Sequence, residues 1–284
     1  MRWQHGRRSK NVQNRQRIGG KTAAGGGGVF LVMAAVVFFM GGDPSSLIGE
    51  GLERTIQHQI QGQSQFSEEE NKELVDFVSV VLGSTEDIWE KEFARAGQRY
   101  PHPNLVLFTG RVQSACGLAG SASGPFYCPP DQKVYIDLSF YHDLKHKMDA
   151  PGDFAQAYVI AHEVGHHVQN VMGIIPKVTA MKRRVSKKEA NVLQVRVELQ
   201  ADCYSGLWAK SVQDNYNMIE AGDIDEALNA ASKIGDDHLQ KQSRGYVVPD
   251  SFTHGSSAQR KKWFKRGFET GSIKACDTFA VRDL

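Results

Sequence analysis

Apolar positions recur along this chain in three patterns, and each predicts a different kind of element. From Ser67, which with Glu70 makes a capping-box pair, an amphipathic run predicts a helix to about Leu82, and Ser84 or Thr85 caps a second to about Ala96. Leu105 to Val112 and Val134 to Leu138 (VYIDL), rich in β-branched and aromatic residues, predict strands joined by a loop that Cys116 and Cys128 flank. Beyond Asp153 the spacing is helical, over roughly 153–172, 187–212, 224–240 and 257–270. Along the first of these, Phe154, Tyr158, Ala161, Val164, Val168 and Val171 keep the period until Gly173 and Pro176 close it. Ser186 with Glu189 opens the second as another capping box. No repeat of solenoid length is present.

The third pattern is continuous apolarity. Val29 to Met40 is wholly apolar within an uncharged stretch from Thr22 to Gly42, and about 20 helical residues span the roughly 30 Å of a bilayer core. A cleavable signal peptide and a buried soluble helix are the rival readings. Phe39, Met40 and Asp43 fall where a cleavage site wants small residues, which favours an uncleaved anchor. Residues 43–66, rich in Gly, Ser and Gln, read as a tether to a domain over 67–284.

Composition sharpens this picture. With 40% hydrophobic and 23% charged residues among 284, the chain is neither a disordered tail nor a multi-span membrane protein. Its net charge of +2 gives no bulk attraction to nucleic acid. Residues 1–28 carry seven basic side chains and no acid, leaving 27 basic against 32 acidic after them, a balance of −5. Positive charge before the span predicts a cytoplasmic basic head (1–28), an anchor core at 29–42, and an exported domain. Four cysteines, none in a CxxC pair, suit an oxidising compartment. Of the three possible pairings, the simplest joins Cys116 with Cys128 and Cys203 with Cys276.

The chemistry concentrates on two helices. His162, Glu163, Val164, Gly165 and His166 form HExxH, whose histidines, four apart, share a helix face and can reach one ion, with Glu163 beside them as a general base for water. A catalytic zinc needs a third protein ligand and an open corner. The metzincin pattern would put Gly at 169 and His at 172; the chain has Gln169 and Met172, so that branch is excluded. Glu198 and Asp202, again four apart, stand on a helix flanked by apolar Val195, Val197, Leu199, Ala201, Leu207 and Trp208. Two acids buried there need a cation, with Glu198 on the metal and Asp202 accepting the outer N–H of a ligand histidine. His167 and Cys203 lie off these faces, the first as a packing or outer residue and the second as a disulfide partner.

With these residues in place the chain resembles a gluzincin metallopeptidase, and specifically the bacterial neutral zinc metallopeptidases. The likeness runs through MRWQ with Asn11 and Val12, GPFYCP (124–129), VYIDLSF (134–140), YVIAHEVGHHVQ (158–169), ELQADC (198–203), IGDD (234–237), DSFTHGSS (250–257), Gln259, Arg260 and Trp263 to Gly267. Gln13 and Asn14 replace acidic residues of that family. The resemblance implies Zn2+, held by His162, His166 and Glu198, and hydrolysis of peptide bonds in a protein or peptide substrate with Glu163 carrying the proton. It also implies an α+β, zincin-like domain, mostly helical with a small sheet beside the HExxH helix.

His254 is the candidate donor to the tetrahedral oxyanion, with Arg260 beside it as an orienting or charge-bearing neighbour, similar to the THP and Arg of CAAX-protease-like zinc peptidases. The alternative is a helix cap with an exposed histidine. Gluzincin analogy assigns Val134 to Leu138 to pairing with extended substrate. Asp236 and Asp237 read as a solvated helix end. The expected function is a membrane-anchored zinc endopeptidase; the alternative is a zinc-containing module that binds envelope proteins without hydrolysis.

Overall fold

The computed structural model describes residues 1–15, 67–120 and 123–284; the apolar stretch and the tether lie outside them. Among the described residues no helix is long and apolar enough to cross a membrane. In chain order, β1 (Val12–Asn14) is followed by α1 (Glu68–Arg95), β2 (Asn104–Phe108), β3 (Arg111–Ser114), β4 (Gly117–Gly120), β5 (Phe126–Cys128) and β6 (Lys133–Asp137). Then come α2 (Leu138–His146), α3 (Asp153–Val171), α4 (Ile174–Lys182), α5 (Lys187–Tyr216), α6 (Asp223–Lys233), α7 (Asp236–Arg244) and α8 (Ser257–Thr270). This is the expected class, a mostly helical α+β fold with a small sheet. The sheet runs β1-β2-β6-β5, with β1 and β6 parallel to β2 and the edge strand β5 antiparallel to β6, while β3 and β4 form a separate hairpin.

Helix α5 organises the helical layer by packing against both α3 and α8. Glycines allow both close crossings. A Cβ at Gly165 would lie 3.2 Å from the Ala201 backbone, and one at Gly206 or Gly267 would collide with the carbonyl of Phe264 or Cys203. The Ser67 and Ser186 capping boxes form as the sequence predicts. Both disulfides form in the simplest pairing, Cys116 with Cys128 and Cys203 with Cys276.

Several boundaries differ, each for a local reason. Ser84 and Thr85 do not cap a second helix, because their hydroxyls donate to the carbonyls of Val81 and Leu82 and α1 continues through them. The first predicted strand breaks after Phe108, where Gly110 takes a positive φ of 81°. Asp137 ends β6 and caps α2 by accepting from the Ser139 amide, a helix the sequence did not predict. Gly173, at φ 76°, stops α3 but also starts α4, whose first turn tolerates Pro176. The predicted 224–240 helix splits at Gly235, which packs on Ser257.

Residues 1–15 of the expected basic head join 72–284 in one compact body. Trp3 is buried edge-on against Phe77, and β1 pairs with β2 in the sheet. Arg7 binds Glu86 and Asp87, and Arg8 binds Asp76. Two of the seven basic side chains that read as a topology signal, Arg7 and Arg8, are thus partners for acids on α1, and Gly83 leaves room for the Arg7 backbone to cross it.

Candidate active site

Helices α3 and α5 bring His162, His166 and Glu198 together from 36 residues apart in sequence. Oε2 of Glu198 lies 3.3 Å from Nε2 of His162 and 3.3 Å from Nε2 of His166. A tetrahedral ion with bonds of about 2.0–2.1 Å sets its ligand atoms about 3.3 Å apart, so the donor set fits zinc in both chemistry and spacing.

Each donor is held from behind. Nδ1 of His162 donates to Oδ1 of Asp202 at 2.8 Å, which leaves its Nε2 to face Glu198. Asp202 is fully buried and also accepts from the Tyr158 hydroxyl at 2.6 Å and from Nε and Nη2 of Arg260, each at 2.9 Å. Burial would raise the Asp202 carboxyl, but Arg260 and His162 outweigh it and hold it at about 2. Oε1 of Glu198 accepts from Gln194 at 2.7 Å, and Gln194 in turn accepts from Lys182. Burial alone would raise Glu198 too; the imidazoles of His166 and His162 keep it well below the carboxylate range. Without a metal these charges act in reverse on His162: burial pushes it down, and Asp202 and Glu198 lift it to about 9.

The site opens into a cavity of about 420 Å³ that Glu163, His254 and Arg260 also line. No described residue hydrogen-bonds the carboxylate of Glu163, which sits in the cavity wall. His254 reaches the cavity on a loop that Asp236 builds: one carboxylate oxygen accepts the backbone N–H groups of Thr253, His254 and Gly255 at 2.6–2.9 Å. Asp236 is buried, and its contact with the His254 ring raises that imidazole above its ordinary value. The reading of Asp236 as a solvated helix end is therefore corrected, and Asp237 likewise binds Ser257.

The guanidinium of Arg260 is engaged by Asp202, Tyr158 and the Ile234 carbonyl, so of the two roles expected for it, orienting and charge-bearing, its contacts are those of an orienting group on the His162 side of the site. One further expectation is corrected. Within Val134 to Leu138, Val134 and Tyr135 cannot take a substrate strand, because there β6 is paired on both edges, with β2 and with β5. The sheet edge that reaches the cavity is β5, through Phe126 and Tyr127. His167 packs as expected: its Nε2–H donates to the Pro101 carbonyl, Nδ1 accepts from Tyr127, and burial pushes it down to about 4. Tyr158, Gln169 and Gln194 were missed as polar contributors. Their signal was spacing: Tyr158 is four before His162, Gln194 four before Glu198, and Gln169 three after His166.

An α+β body in which two histidines of α3 face a glutamate of α5 offers a donor set that could hold one metal ion. The chain belongs to the family described as putative neutral zinc metallopeptidase, whose model matches residues 1–279. It is 48% identical over 290 residues to the uncharacterized protein YpfJ of Escherichia coli (strain K12), covering 98% of this chain and 99% of that one. It is 43% identical over 195 residues to the uncharacterized protein Rv2575 of Mycobacterium tuberculosis (strain ATCC 25618 / H37Rv), covering 65% of each. No solved structure matches the chain.

Proposed function

We propose that the protein is a zincin-type endopeptidase whose His162, His166 and Glu198 hold zinc and whose Glu163 is the general base. Carrying this reading is the single carboxylate oxygen of Glu198, 3.3 Å from two imidazole nitrogens whose far sides are each hydrogen-bonded. When bound, the ion supplies a Lewis acid that polarises a carbonyl and makes water a nucleophile near neutrality. The chain's residues do the rest. Glu163 accepts a proton from water and returns it to the leaving amine, and the lack of a hydrogen bond to it among the described residues suits a group that must exchange protons. His254, steadied by Asp236, donates to the oxygen that gains charge. A module that kept zinc for stability alone would have no use for a carboxylate in the cavity wall beside the metal ligands.

Phe126, Phe140, Ile175, Val178, Ile234 and Leu239 give the cavity an apolar lining that suits an apolar side chain of a protein or peptide substrate, and an extended chain would pair with the edge of β5. Work outside the cytoplasm is supported by the two disulfides, and attachment to the inner membrane by the apolar stretch 22–42. The test is Glu163→Gln in zinc-loaded protein, assayed on a fluorogenic peptide library. The expected result is a loss of about 10²-fold or more in turnover with zinc content unchanged. Turnover equal to that of the wild type would remove Glu163 from the mechanism.

A further inference from the structure

Behind His166 stand two buried amides in series. Nδ1 of His166 lies 2.9 Å from Oε1 of Gln169, whose Nε2 donates to the Val197 carbonyl at 2.7 Å and to Oε1 of Gln200 at 3.0 Å. Nε2 of Gln200 donates to the Cys276 carbonyl at 3.1 Å, and Cys276 is tied to α5 by its disulfide to Cys203. The two backbone carbonyls can only accept, so each amide must turn its nitrogen toward one of them. The oxygen of Gln169 is then left to His166, whose Nδ1 must carry the proton and whose Nε2 lone pair must face Glu198. Gln169 is fully buried on an apolar helix, and both N–H groups and the oxygen of its amide are used.

We propose that Gln169 is a positioning residue that fixes the tautomer and ring plane of His166 for metal binding, with Gln200 and the Cys276 carbonyl as its support. The two histidines are thereby held by unlike groups, His162 by the Asp202 carboxylate that Arg260 neutralises and His166 by a neutral amide. A second carboxylate behind His166 would put another uncompensated charge in the core near Glu198, and the amide supplies the acceptor without it. The inference rests on the reading of His162, His166 and Glu198 as metal ligands, and the test separates the two.

In the full-length protein, zinc affinity is measured by competition with a chromophoric chelator, ligand geometry by the visible spectrum of the cobalt form, and folding by thermal melts without metal. Gln169→Leu removes the acceptor at similar volume, and Gln200→Leu keeps Gln169 but releases its amide. The expected loss in zinc affinity is about 10- to 100-fold for Gln169→Leu and smaller, but at least fivefold, for Gln200→Leu, with a shifted cobalt spectrum in both. A purely packing role would lower the metal-free melt and leave affinity and spectrum alone. Affinity within fivefold of wild type in folded Gln169→Leu overturns the proposal, and if that variant does not fold the same result in Gln200→Leu does so. Wild-type protein that binds no zinc would instead overturn the metal site itself.

Discussion

Protons and zinc compete for the same nitrogen at His162, and the charges around it fix the sign of the pH response. Its Nδ1–H is committed to Asp202, so the extra proton that Asp202 and Glu198 stabilise sits on Nε2, where the metal would bind. In metal-free protein the folded value of about 9 lies above the ordinary 6.5, so this stabilisation is complete below 6.5 and is lost as pH rises through 9. His166 is raised in the same sense and adds to the loss. His167 is opposite: its folded value of about 4 lies below 6.5, so its contribution grows with pH from 4 to 6.5. The metal-free melting temperature should therefore peak near pH 6.5 and fall by several degrees towards pH 9, measured in excess chelator. Zinc affinity should rise over the same interval by close to tenfold per pH unit for one displaced proton. A metal-free melt that climbs from pH 6.5 to 9 would show that neither imidazole holds the extra proton.

At the scale of elements, the site depends on how closely α3 and α5 cross. Gly165 lies inside HExxH, at the position where α3 meets Ala201 between Glu198 and Asp202 along α5. A valine there would drive the helices apart and widen the 3.3 Å separations on which the donor set rests. Gly165→Val should cost about 1–3 kcal/mol in unfolding free energy and at least tenfold in zinc affinity, read from denaturant titration and chelator competition. Gly165→Ala, needing only a few tenths of an ångström, should cost less on both counts, and equal affinity in all three proteins would separate the crossing from the site.

Much of this level was legible in the sequence, because HExxH and the ExxxD of α5 are face rules internal to single helices, and Ser186 marks the start of the second helix. Asp236 as builder of the His254 loop was not legible, nor was the grip of Asp202 on Arg260. Both are contacts between segments 17 to 58 residues apart, to which no helical period points. The assignment of the substrate strand to β6 failed at Val134 and Tyr135 because strand order is a property of the whole sheet: VYIDL has the composition of a strand anywhere, and only pairing with both β2 and β5 makes those two residues interior.

For the whole molecule, the packing of residues 1–15 sets two physical rules against each other. Seven basic side chains ahead of an apolar stretch favour keeping the amino-terminal end in the cytoplasm. A single crossing by that stretch would place this end and the domain on opposite sides of a bilayer. In the folded body, however, β1 lies beside β2, Arg7 and Arg8 are paired with acids of α1, and burial of Trp3 alone contributes about 2–3 kcal/mol. Strand pairing at 4.7–4.9 Å spacing tolerates no bilayer between its partners. The packed state therefore requires residues 1–15 and 72–284 to share one compartment. Cysteines placed at exposed His5 and exposed Ser243 in cells should react alike with a membrane-impermeant maleimide, both labelled if the domain is exported and both protected if it is not. Labelling at Ser243→Cys with protection at His5→Cys would show that the amino-terminal strand is withdrawn across the membrane, and the sheet would then have to close on β2 without β1.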